Sequence, residues 1–295
     1  MYVVIGANGY VGSYILKNII EKTEEKILAL GCDISSYPYS NKRIIIQECD
    51  ITSPADVKKV ADMLMEEEEI KGVYLAAYHH PDAVKSNPRL AWNINITALS
   101  YCLNAWPKFK CLFYVSTEMV YGACDLNYRF KENDKVDPVN LYGKHKVVAE
   151  SIVLGYEYNV VRFPFVIGKS LLPNKPHFYD QIIDTVKTGH NIEMFVNAYK
   201  TALDFDTATS IVIDLIENYN ENTPKILNVA GDDILSKYDI GVKIIQKNRL
   251  DTSKVLPITM GEENKIFTEK RANCTLLDNS LLKKTLKVST IKMKF

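Results

Sequence analysis

The sequence predicts an α/β fold, a doubly wound parallel sheet covered by helices on both faces and followed by a smaller lobe. Short apolar runs rich in β-branched residues alternate with stretches of helical periodicity through the first half of the chain. Apolar strands separated by helices are typical of a parallel sheet that is buried on both faces. From about residue 165 this alternation becomes less regular, which indicates the second lobe.

Composition excludes several classes of function. The chain has 295 residues, 47% of them hydrophobic and 24% charged, with a net charge of +0. It can bury a large core, as one large domain or two tightly packed lobes, and it carries no bulk charge to attract nucleic acid or membrane. The six cysteines form no CxxC pair, and no stretch approaches the ~18 apolar residues of a spanning helix. We therefore expect a cytoplasmic protein with free thiols, no metal site and no targeting leader.

The order of apolar and helical stretches gives the predicted elements. Strands are predicted at 1–6, 26–30, 43–48, 72–77, 111–116 and 158–164, and helices at 10–22, 53–70, 88–105 and 142–156. Ser53 is the expected N-cap before Pro54, and Glu66–Glu69 is expected to form a solvated helix end. We predict a dinucleotide-binding domain at 1–164. Residues 165–295 would mainly form a substrate-binding lobe, with a segment near 203–231 returning to the core.

A glycine-rich turn follows the first strand. Gly6, Gly9 and Gly12 have the spacing G-x-x-G-x-x-G between that strand and the first helix. Glycines here let backbone N–H groups approach a pyrophosphate at a helix N-terminus. The turn therefore predicts dinucleotide binding, the alternative being an ordinary strand–turn–helix.

The end of the second strand bears on the choice of cofactor. An acid that binds the adenosine ribose is expected there, but the position holds Gly31, and Asp33 lies two residues on. No arginine follows directly to bind a 2′-phosphate, although basic residues occur at 42 and 43. Asp33 therefore favours NAD, with NADP left open. After the third strand, Asp50 is expected to contact adenine or to cap a helix.

Tyr142 and Lys146 lie four residues apart in a predicted helix, and hence on one face of it. An ammonium near a phenol stabilises phenolate and lowers the phenol pKa, which suits proton transfer to a sugar or alcohol oxygen. Such a pair alone could equally be an aromatic and a base on a surface helix.

Three features together resemble the extended short-chain dehydrogenase/reductase family. They are the glycine turn, the stretch V-S-T-E-M-V-Y-G at 115–122, and Y-x-x-x-K at 142–146. The resemblance covers nearly the whole chain. It implies a Rossmann fold, a nicotinamide cofactor and a catalytic set of Thr117, Tyr142 and Lys146, in which Thr117 hydrogen-bonds the reacting oxygen.

Further stretches extend the resemblance. Y-L-A-A-Y at 74–78 is similar to the family's loop after the fourth strand, and V-R-F-P-F-V-I-G at 161–168 to its stretch near the nicotinamide. With the residues above, the resemblance implies a cofactor site made of Gly6, Asn8, Gly9, Tyr10, Val11, Gly12, Asp33, Asp50, Ile51, Leu75, Ala76, Ala77, Asn95, Tyr142, Lys146, Phe163, Pro164 and Phe165.

Within the family, the stretches 76–99, 226–244 and 270–286 are most similar to the dTDP-4-dehydrorhamnose reductase branch. This implies reduction, or the reverse oxidation, of a nucleotide-linked 4-keto sugar. The expected substrate contacts are His79, Glu118, Met119, Lys200 and Arg271, although Glu118 could serve only as a structural hydrogen-bonding group. Met119 replaces an acid that the family's dehydratases carry, so 4,6-dehydration is not expected.

Two alternatives remain open from the sequence. One is a nucleotide-sugar C4 epimerase that holds NAD tightly, and the other is a catalytically silent subunit that binds a cofactor and regulates a partner. The family resemblance also implies a homodimer or higher homo-oligomer, with the helices near 88–105 and 142–155 as candidate interface.

Overall fold

A parallel sheet forms the centre of the computed structural model, which describes residues 1–33, 37–261 and 267–294. The described strands are β1 (Tyr2–Ile5), β2 (Ile27–Gly31), β3 (Ile44–Glu48), β4 (Lys71–Tyr74), β5 (Cys111–Thr117), β6 (Asn159–Phe163), β7 (Val166–Ile167), β8 (Ile192–Phe195), β9 (Tyr199–Lys200), β10 (Leu203–Asp204), β11 (Ile226–Asn228), β12 (Leu235–Ser236), β13 (Val255–Ile258) and β14 (Cys274–Thr275).

The central sheet has the strand order β11-β6-β5-β4-β1-β2-β3, and every neighbouring pair in it is parallel. The chain builds β1, β2 and β3 towards one edge and then returns to place β4 on the other side of β1. This order confirms the predicted doubly wound sheet. The change of direction between β1 and β4 creates the crevice in which such folds bind ligands.

Helices cover both faces of the sheet and build part of the second lobe. They are α1 (Tyr10–Lys22), α2 (Pro54–Leu64), α3 (Pro81–Ser86), α4 (Pro88–Trp92), α5 (Ala98–Ala105), α6 (Leu141–Gly155), α7 (Phe178–Lys187), α8 (Phe205–Glu217), α9 (Lys237–Lys247) and α10 (Ser280–Leu286). The predicted helix at 88–105 consists of α4, a π-helical turn at Asn93–Thr97, and α5.

Local sequence explains where α2 begins and ends. The Ser53 hydroxyl accepts a hydrogen bond from the Asp56 N–H, and Pro54 takes the first helical position, as predicted. The helix ends at Leu64, so Glu66–Glu69 follows it and does not form its end as expected. The helix stops before this run because four consecutive carboxylates repel one another and because negative charge is unfavourable beside the negative C-terminal end of a helix.

Two apolar cores lie on the two faces of the sheet. One includes Val4, Ile15 and Val212, and the other includes Ile5, Leu99 and Leu112. Alternate residues of a strand point to opposite faces, so consecutive residues such as Val4 and Ile5 enter different cores. This double burial explains why the strands read as continuous apolar runs.

The second half of the chain contributes to both lobes. Strand β11 pairs with β6 at one edge of the central sheet, and α8 packs against α1. Asn18 donates a buried hydrogen bond of 3.0 Å to the Thr209 hydroxyl, and Lys17 forms a 2.7 Å ion pair with Asp206. The second lobe contains the two-stranded sheet β8–β13 and the three-stranded sheet β12–β9–β14. Together with α7 and α9, residues of this lobe form a separate apolar core. Of the helices in the described ranges, none is both long and apolar enough to cross a membrane.

Candidate functional site

The residues predicted to bind the cofactor follow the carboxyl ends of neighbouring parallel strands. The glycine turn follows β1, Leu75–Ala77 follows β4, and Pro164 with Phe165 follows β6. The backbone N–H groups of Leu75 and Ala76 both donate to the Ile5 carbonyl, at 2.8 and 3.0 Å. The sheet thereby brings the glycine turn and the loop after β4 into direct contact at its ligand-binding edge.

The glycine turn has the shape of an anion site. Gly6 has a φ of 90°, and a Cβ there would lie 2.8 Å from the Ala76 nitrogen, so a side chain would be strained and would clash. Helix α1 begins after Gly9 without a side-chain cap and without an acid in its first turn. A Cβ on Gly9 would meet nothing closer than the Gly6 oxygen at 3.4 Å. The turn therefore presents a helix N-terminus with room for a negatively charged group.

The structure explains why glycine replaces the expected acid at the end of β2. A Cβ on Gly31 would lie 2.7 Å from the Asn8 side chain, whose amide donates to the Asp33 carbonyl at 3.1 Å. Asn8 thus packs over Gly31, and the acid is displaced to Asp33, which is exposed. Beside this contact the Tyr37 hydroxyl is buried and has no hydrogen-bond partner in the described part of the chain.

Asp50 and Ile51 follow β3 at the same edge of the sheet. One carboxylate oxygen of Asp50 accepts from the Thr52 N–H and hydroxyl, at 2.9 and 2.8 Å. Ser53 caps α2, so the helix-capping alternative for Asp50 is not what the structure shows. The Asp50 residue is exposed and Ile51 is buried beneath it.

Asn95 lies in the π-helical turn, where its amide contacts Tyr78. Its oxygen accepts from the Tyr78 N–H at 2.7 Å, and its nitrogen donates to the Tyr78 carbonyl at 3.1 Å. Asn95 therefore positions the segment after β4, and its contact with a cofactor stays a prediction. Single-turn π segments occur often at functional sites.

The adjacent hydroxyl residues at the end of β5 have different surroundings. Ser116 donates at 2.5 Å to Glu150, which forms a buried ion pair of 2.7 Å with Arg162. Thr117 accepts from the Met119 N–H at 3.3 Å, which leaves its own hydroxyl hydrogen free to donate. Ser116 is thus a structural residue, and Thr117 is the hydroxyl at the strand end.

A close contact between α6 and the turn after β5 places Tyr142 beside Met119, two residues after Thr117. The Asn140 side chain caps α6 by accepting from the Gly143 N–H at 2.8 Å. A Cβ on Gly143 would lie 2.2 Å from the Met119 oxygen, so glycine is required for this approach. The Tyr142 ring then packs in one cluster with Met119, and the residue is 8% exposed.

Lys146 is held beneath Tyr142 by β5. Its ammonium donates to the Tyr114 hydroxyl at 2.9 Å and to the Val115 carbonyl at 2.8 Å, and lies 5.9 Å from the Tyr142 ring centroid. Burial lowers the pKa of Lys146 to about 7, against the opposing effect of the Glu150 charge. Burial also raises the pKa of Tyr142, which is the opposite of the direction expected from a nearby lysine. Desolvation of the phenol outweighs the attraction of an ammonium that is bonded elsewhere.

A family model described as RmlD substrate binding domain matches residues 1–294. The chain belongs to this family. It thereby belongs to the extended short-chain dehydrogenases/reductases, as the sequence predicted, and to the group that includes the dTDP-4-dehydrorhamnose reductases.

Curated relatives are distant in sequence. The probable low-salt glycan biosynthesis reductase of Haloferax volcanii is 21% identical over 94% of this chain and 89% of its own. Methionine adenosyltransferase 2 subunit beta of Danio rerio is 24% identical over 87% of this chain and 76% of its own. Among solved structures, a dTDP-4-dehydrorhamnose reductase from Clostridium acetobutylicum has a TM-score of 0.77 at 22% identity, covering 99% of this chain and 95% of that one. A UDP-glucuronic acid 4-epimerase from Bacillus cereus has a TM-score of 0.79 at 16% identity, covering 98% of this chain and 94% of that one.

The residues of this RmlD-family chain that were predicted to contact substrate have different environments. Glu118 and Lys200 form a buried ion pair of 3.0 Å. Arg271 pairs with Asp82 at 3.0 Å, which ties α3 to the segment before β14. His79 is exposed after β4. Glu118 and Lys200 thus lie together beside Thr117, whereas Arg271 is already engaged by a carboxylate.

Three side chains near the site were not found from the sequence. Tyr114 binds Lys146, His177 forms the N-cap of α7, and Lys237 begins α9 with its ammonium over the Phe165 ring. The S-K-Y-D segment at 236–239 carries a capping-box signal that could have placed Lys237 at a helix start. No local signal would have placed it near Phe165.

Replacement of Lys146 by methionine should remove a pH dependence of stability. An unfolded lysine binds its proton up to about pH 10.4, whereas the folded group releases its proton near pH 7. Between these values the unfolded chain binds more protons, so native stability should rise with pH by up to about 1.4 kcal/mol per pH unit. Urea unfolding at pH 7.5 and 9.5 should show a larger gain in the native protein than in Lys146→Met, because the contribution of Lys237 is common to both. Lys144→Met, on the exposed side of α6, is the matched control. Parallel stability curves for the native protein and Lys146→Met would contradict the assignment.

Proposed function

We propose that the protein is an NAD(P)-dependent oxidoreductase that acts on a nucleotide-linked sugar. It would reduce a 4-keto group, or catalyse the reverse oxidation, with Tyr142 as the acid/base. The observation that carries this proposal is the packing of α6 on β5 and on the turn after it, in which Tyr142 lies against Met119 and Lys146 contacts Tyr114 and Val115, close in sequence to Thr117. Relatives and solved structures named as reductases of sugar nucleotides or glycans support it further.

The residues at the sheet edge fit a nicotinamide dinucleotide. The uncapped N-terminus of α1 and the open space at Gly9 suit a pyrophosphate. The Tyr37 hydroxyl, which has no hydrogen-bond partner in the described ranges, lies beside Gly31, where an adenosine ribose would end. A solved dTDP-4-dehydrorhamnose reductase from Bacillus anthracis contains NADP, and the Bacillus cereus epimerase contains NAD. When bound, the nicotinamide would supply or accept the hydride.

The protein's own groups would control the proton and the substrate oxygen. The raised pKa keeps Tyr142 protonated at neutral pH, so its hydroxyl can donate a proton to the oxygen of a ketone being reduced. The free hydroxyl hydrogen of Thr117 would polarise the same oxygen. Lys146, fixed by Tyr114 and the Val115 carbonyl, would add positive charge beneath Tyr142 when protonated.

Two other functions remain as alternatives. C4 epimerisation would use the same proton donor, and solved UDP-glucuronic acid 4-epimerases share the fold at TM-scores of 0.80 and 0.79. A cofactor-binding regulatory subunit is favoured by several relatives named methionine adenosyltransferase 2 subunit beta, at 24–26% identity. A silent subunit has no need to retain Thr117, Tyr142 and Lys146 together, so we favour the enzyme.

Gly9→Val should weaken cofactor binding by more than about a hundredfold, which corresponds to about 2.7 kcal/mol. The added side chain would enter the space at the N-terminus of α1 in which the pyrophosphate is expected. Titration calorimetry with NADH and NADPH measures the effect, and circular dichroism checks the fold. Gly155→Val is the control, because a Cβ there meets nothing within 4 Å. Unchanged affinity in a folded Gly9→Val protein would remove the cofactor proposal.

NADH should bind more tightly than NADPH. Asp33 lies two residues beyond β2, and a carboxylate near the ribose repels a 2′-phosphate. Side-by-side titration of the native protein tests this preference. A tenfold preference for NADPH, about 1.4 kcal/mol, would reverse the assignment.

Tyr142→Phe should lower kcat by roughly 10²–10⁴-fold, because it removes a positioned acid/base and keeps the buried ring. Cofactor oxidation is followed by absorbance with a panel of nucleotide-linked 4-keto sugars. Tyr101→Phe, at an exposed position of α5, is the control. Normal turnover by Tyr142→Phe, under conditions where chemistry limits the rate, would assign the proton to another group. Absence of any turnover by the native protein, with cofactor bound, would favour the regulatory subunit.

We also propose a homo-oligomer formed through α4, α5 and α6. Leu90, Trp92, Tyr101 and Val148 are large apolar residues with 37–48% exposure on these helices. Sedimentation velocity should therefore show a dimer or larger species, and Trp92→Glu together with Val148→Glu should produce monomers because charge is unfavourable in an apolar interface. A monomeric native protein at micromolar concentration would exclude this interface.

A further inference from the structure

A charge cluster with two buried members and one half-buried member lies directly beside Thr117. It consists of Glu118, Lys200 and Lys237, and we call it the Glu118 cluster. Glu118 is 3% exposed and Lys200 is 8% exposed, and one Glu118 oxygen lies 3.0 Å from the Lys200 ammonium. Lys237 is close enough for the charges of both residues to act on it. Its ammonium lies over the ring of Phe165.

The Glu118 cluster contains two ammonium groups and only one carboxylate. The second oxygen of Glu118 is buried without a hydrogen-bond partner among the residues that the structure describes. Lys237 has no hydrogen bond or ion pair from its side chain within residues 1–33, 37–261 and 267–294. Burial and the charge of Lys200 lower its pKa well below the ordinary lysine value, and Glu118 compensates only in part. The protonated cluster therefore has an uncompensated positive charge in a desolvated place, which an anion would stabilise.

The backbone holds the two lysines in fixed positions. Leu235 of β12 pairs with Lys200 of β9, and Ser236 pairs with Tyr199. Ser236 then caps α9 through a capping box, and the Lys237 N–H donates to the Ala198 carbonyl at 3.0 Å. A rigid backbone of this kind positions a charged side chain at little entropic cost on ligand binding.

A further titratable group near Lys237 does not neutralise it. His177, the N-cap of α7, has its pKa lowered to about 4 by burial, with the charge of Lys237 contributing in the same direction. It is therefore neutral at physiological pH. Glu118 is thus the carboxylate that faces Lys237, and it is already bound to Lys200.

We propose that Lys237 binds an anionic substituent on the sugar ring of the substrate, for which a carboxylate is the fitting chemical class. This inference rests on the proposed function, because it places the sugar beside Thr117 and Tyr142. Glu118 is the residue after Thr117, so the cluster begins at the strand end where the reacting oxygen is expected. The nucleotide diphosphate, a different source of anionic oxygens, would lie further along the substrate.

The test compares ligands that differ only in the carboxylate. Titration calorimetry with UDP-glucuronic acid and UDP-glucose should show at least a tenfold preference of the native protein for the uronate, about 1.4 kcal/mol. Lys237→Met should lose this preference and bind UDP-glucose unchanged. Lys243→Met, an exposed lysine on the same helix, should behave as the native protein does. The same sugar and uronate linked to dTDP and to GDP are measured in parallel, because the proposed function does not specify the nucleotide base.

Proton uptake provides a second measurement. Binding of the carboxylate should raise the Lys237 pKa towards its ordinary value, so in a series of pH values the native protein should take up protons wherever the free Lys237 is partly deprotonated. The observed heat should then depend on the ionisation enthalpy of the buffer, and this dependence should be absent for UDP-glucose and for Lys237→Met. Lys237→Gln is the second variant if Lys237→Met does not fold.

Each contrary outcome has a distinct meaning. If Lys237→Met lost affinity equally for UDP, UDP-glucose and UDP-glucuronic acid, the lysine would be assigned to the diphosphate and the inference would be overturned. Equal affinity of the native protein for UDP-glucose and UDP-glucuronic acid would also overturn it. So would a preference for UDP-glucuronic acid that is retained in folded Lys237→Met or Lys237→Gln. Failure of all sugar pairs to bind the cofactor-loaded native protein would contradict the proposed function itself, and the inference with it.

Discussion

The parallel hydrogen bonding of β1 to β2 on one side and β4 on the other is the constraint on which the site depends. It brings the ends of these strands to one edge, and the Ile5 carbonyl then accepts from both Leu75 and Ala76. The contact leaves so little space at Gly6 that a side chain there would clash. Asn95 fixes the next residues by binding Tyr78. The candidate site is therefore built largely from backbone, and its shape follows from the strand order.

Burial governs the electrostatics of this edge. The same packing of α6 on β5 that places Tyr142 against Met119 also removes Tyr142 and Lys146 from water. Desolvation disfavours the charged form of each, so the phenol and the amine are both shifted towards neutrality. A site of this kind has little charge of its own before ligands bind, and it would respond strongly to the charge that they bring.

Patterns local in sequence predicted much of the fold and part of the site. The apolar runs gave the strands of the central sheet, and Ser53 with Pro54 gave the start of α2. The direction of the Tyr142 pKa shift could not be predicted, because it depends on packing between α6 and distant segments. The ion pairs of Glu118 with Lys200 and of Arg271 with Asp82 join residues far apart in the chain, and no spacing rule indicates them.

The placement of β11 and α8 has a consequence for folding during synthesis. Val212 on α8 belongs to the same core as Val4 on β1 and Ile15 on α1, and β11 covers the edge of β6. A ribosome that has completed β6 must still add the whole segment up to β11, which takes on the order of ten seconds or less. During that interval the part of one sheet face that α1 leaves uncovered and one edge strand have no partner from the same chain. Such surfaces are prone to aggregation, so chaperone binding at this stage of translation would protect the nascent protein.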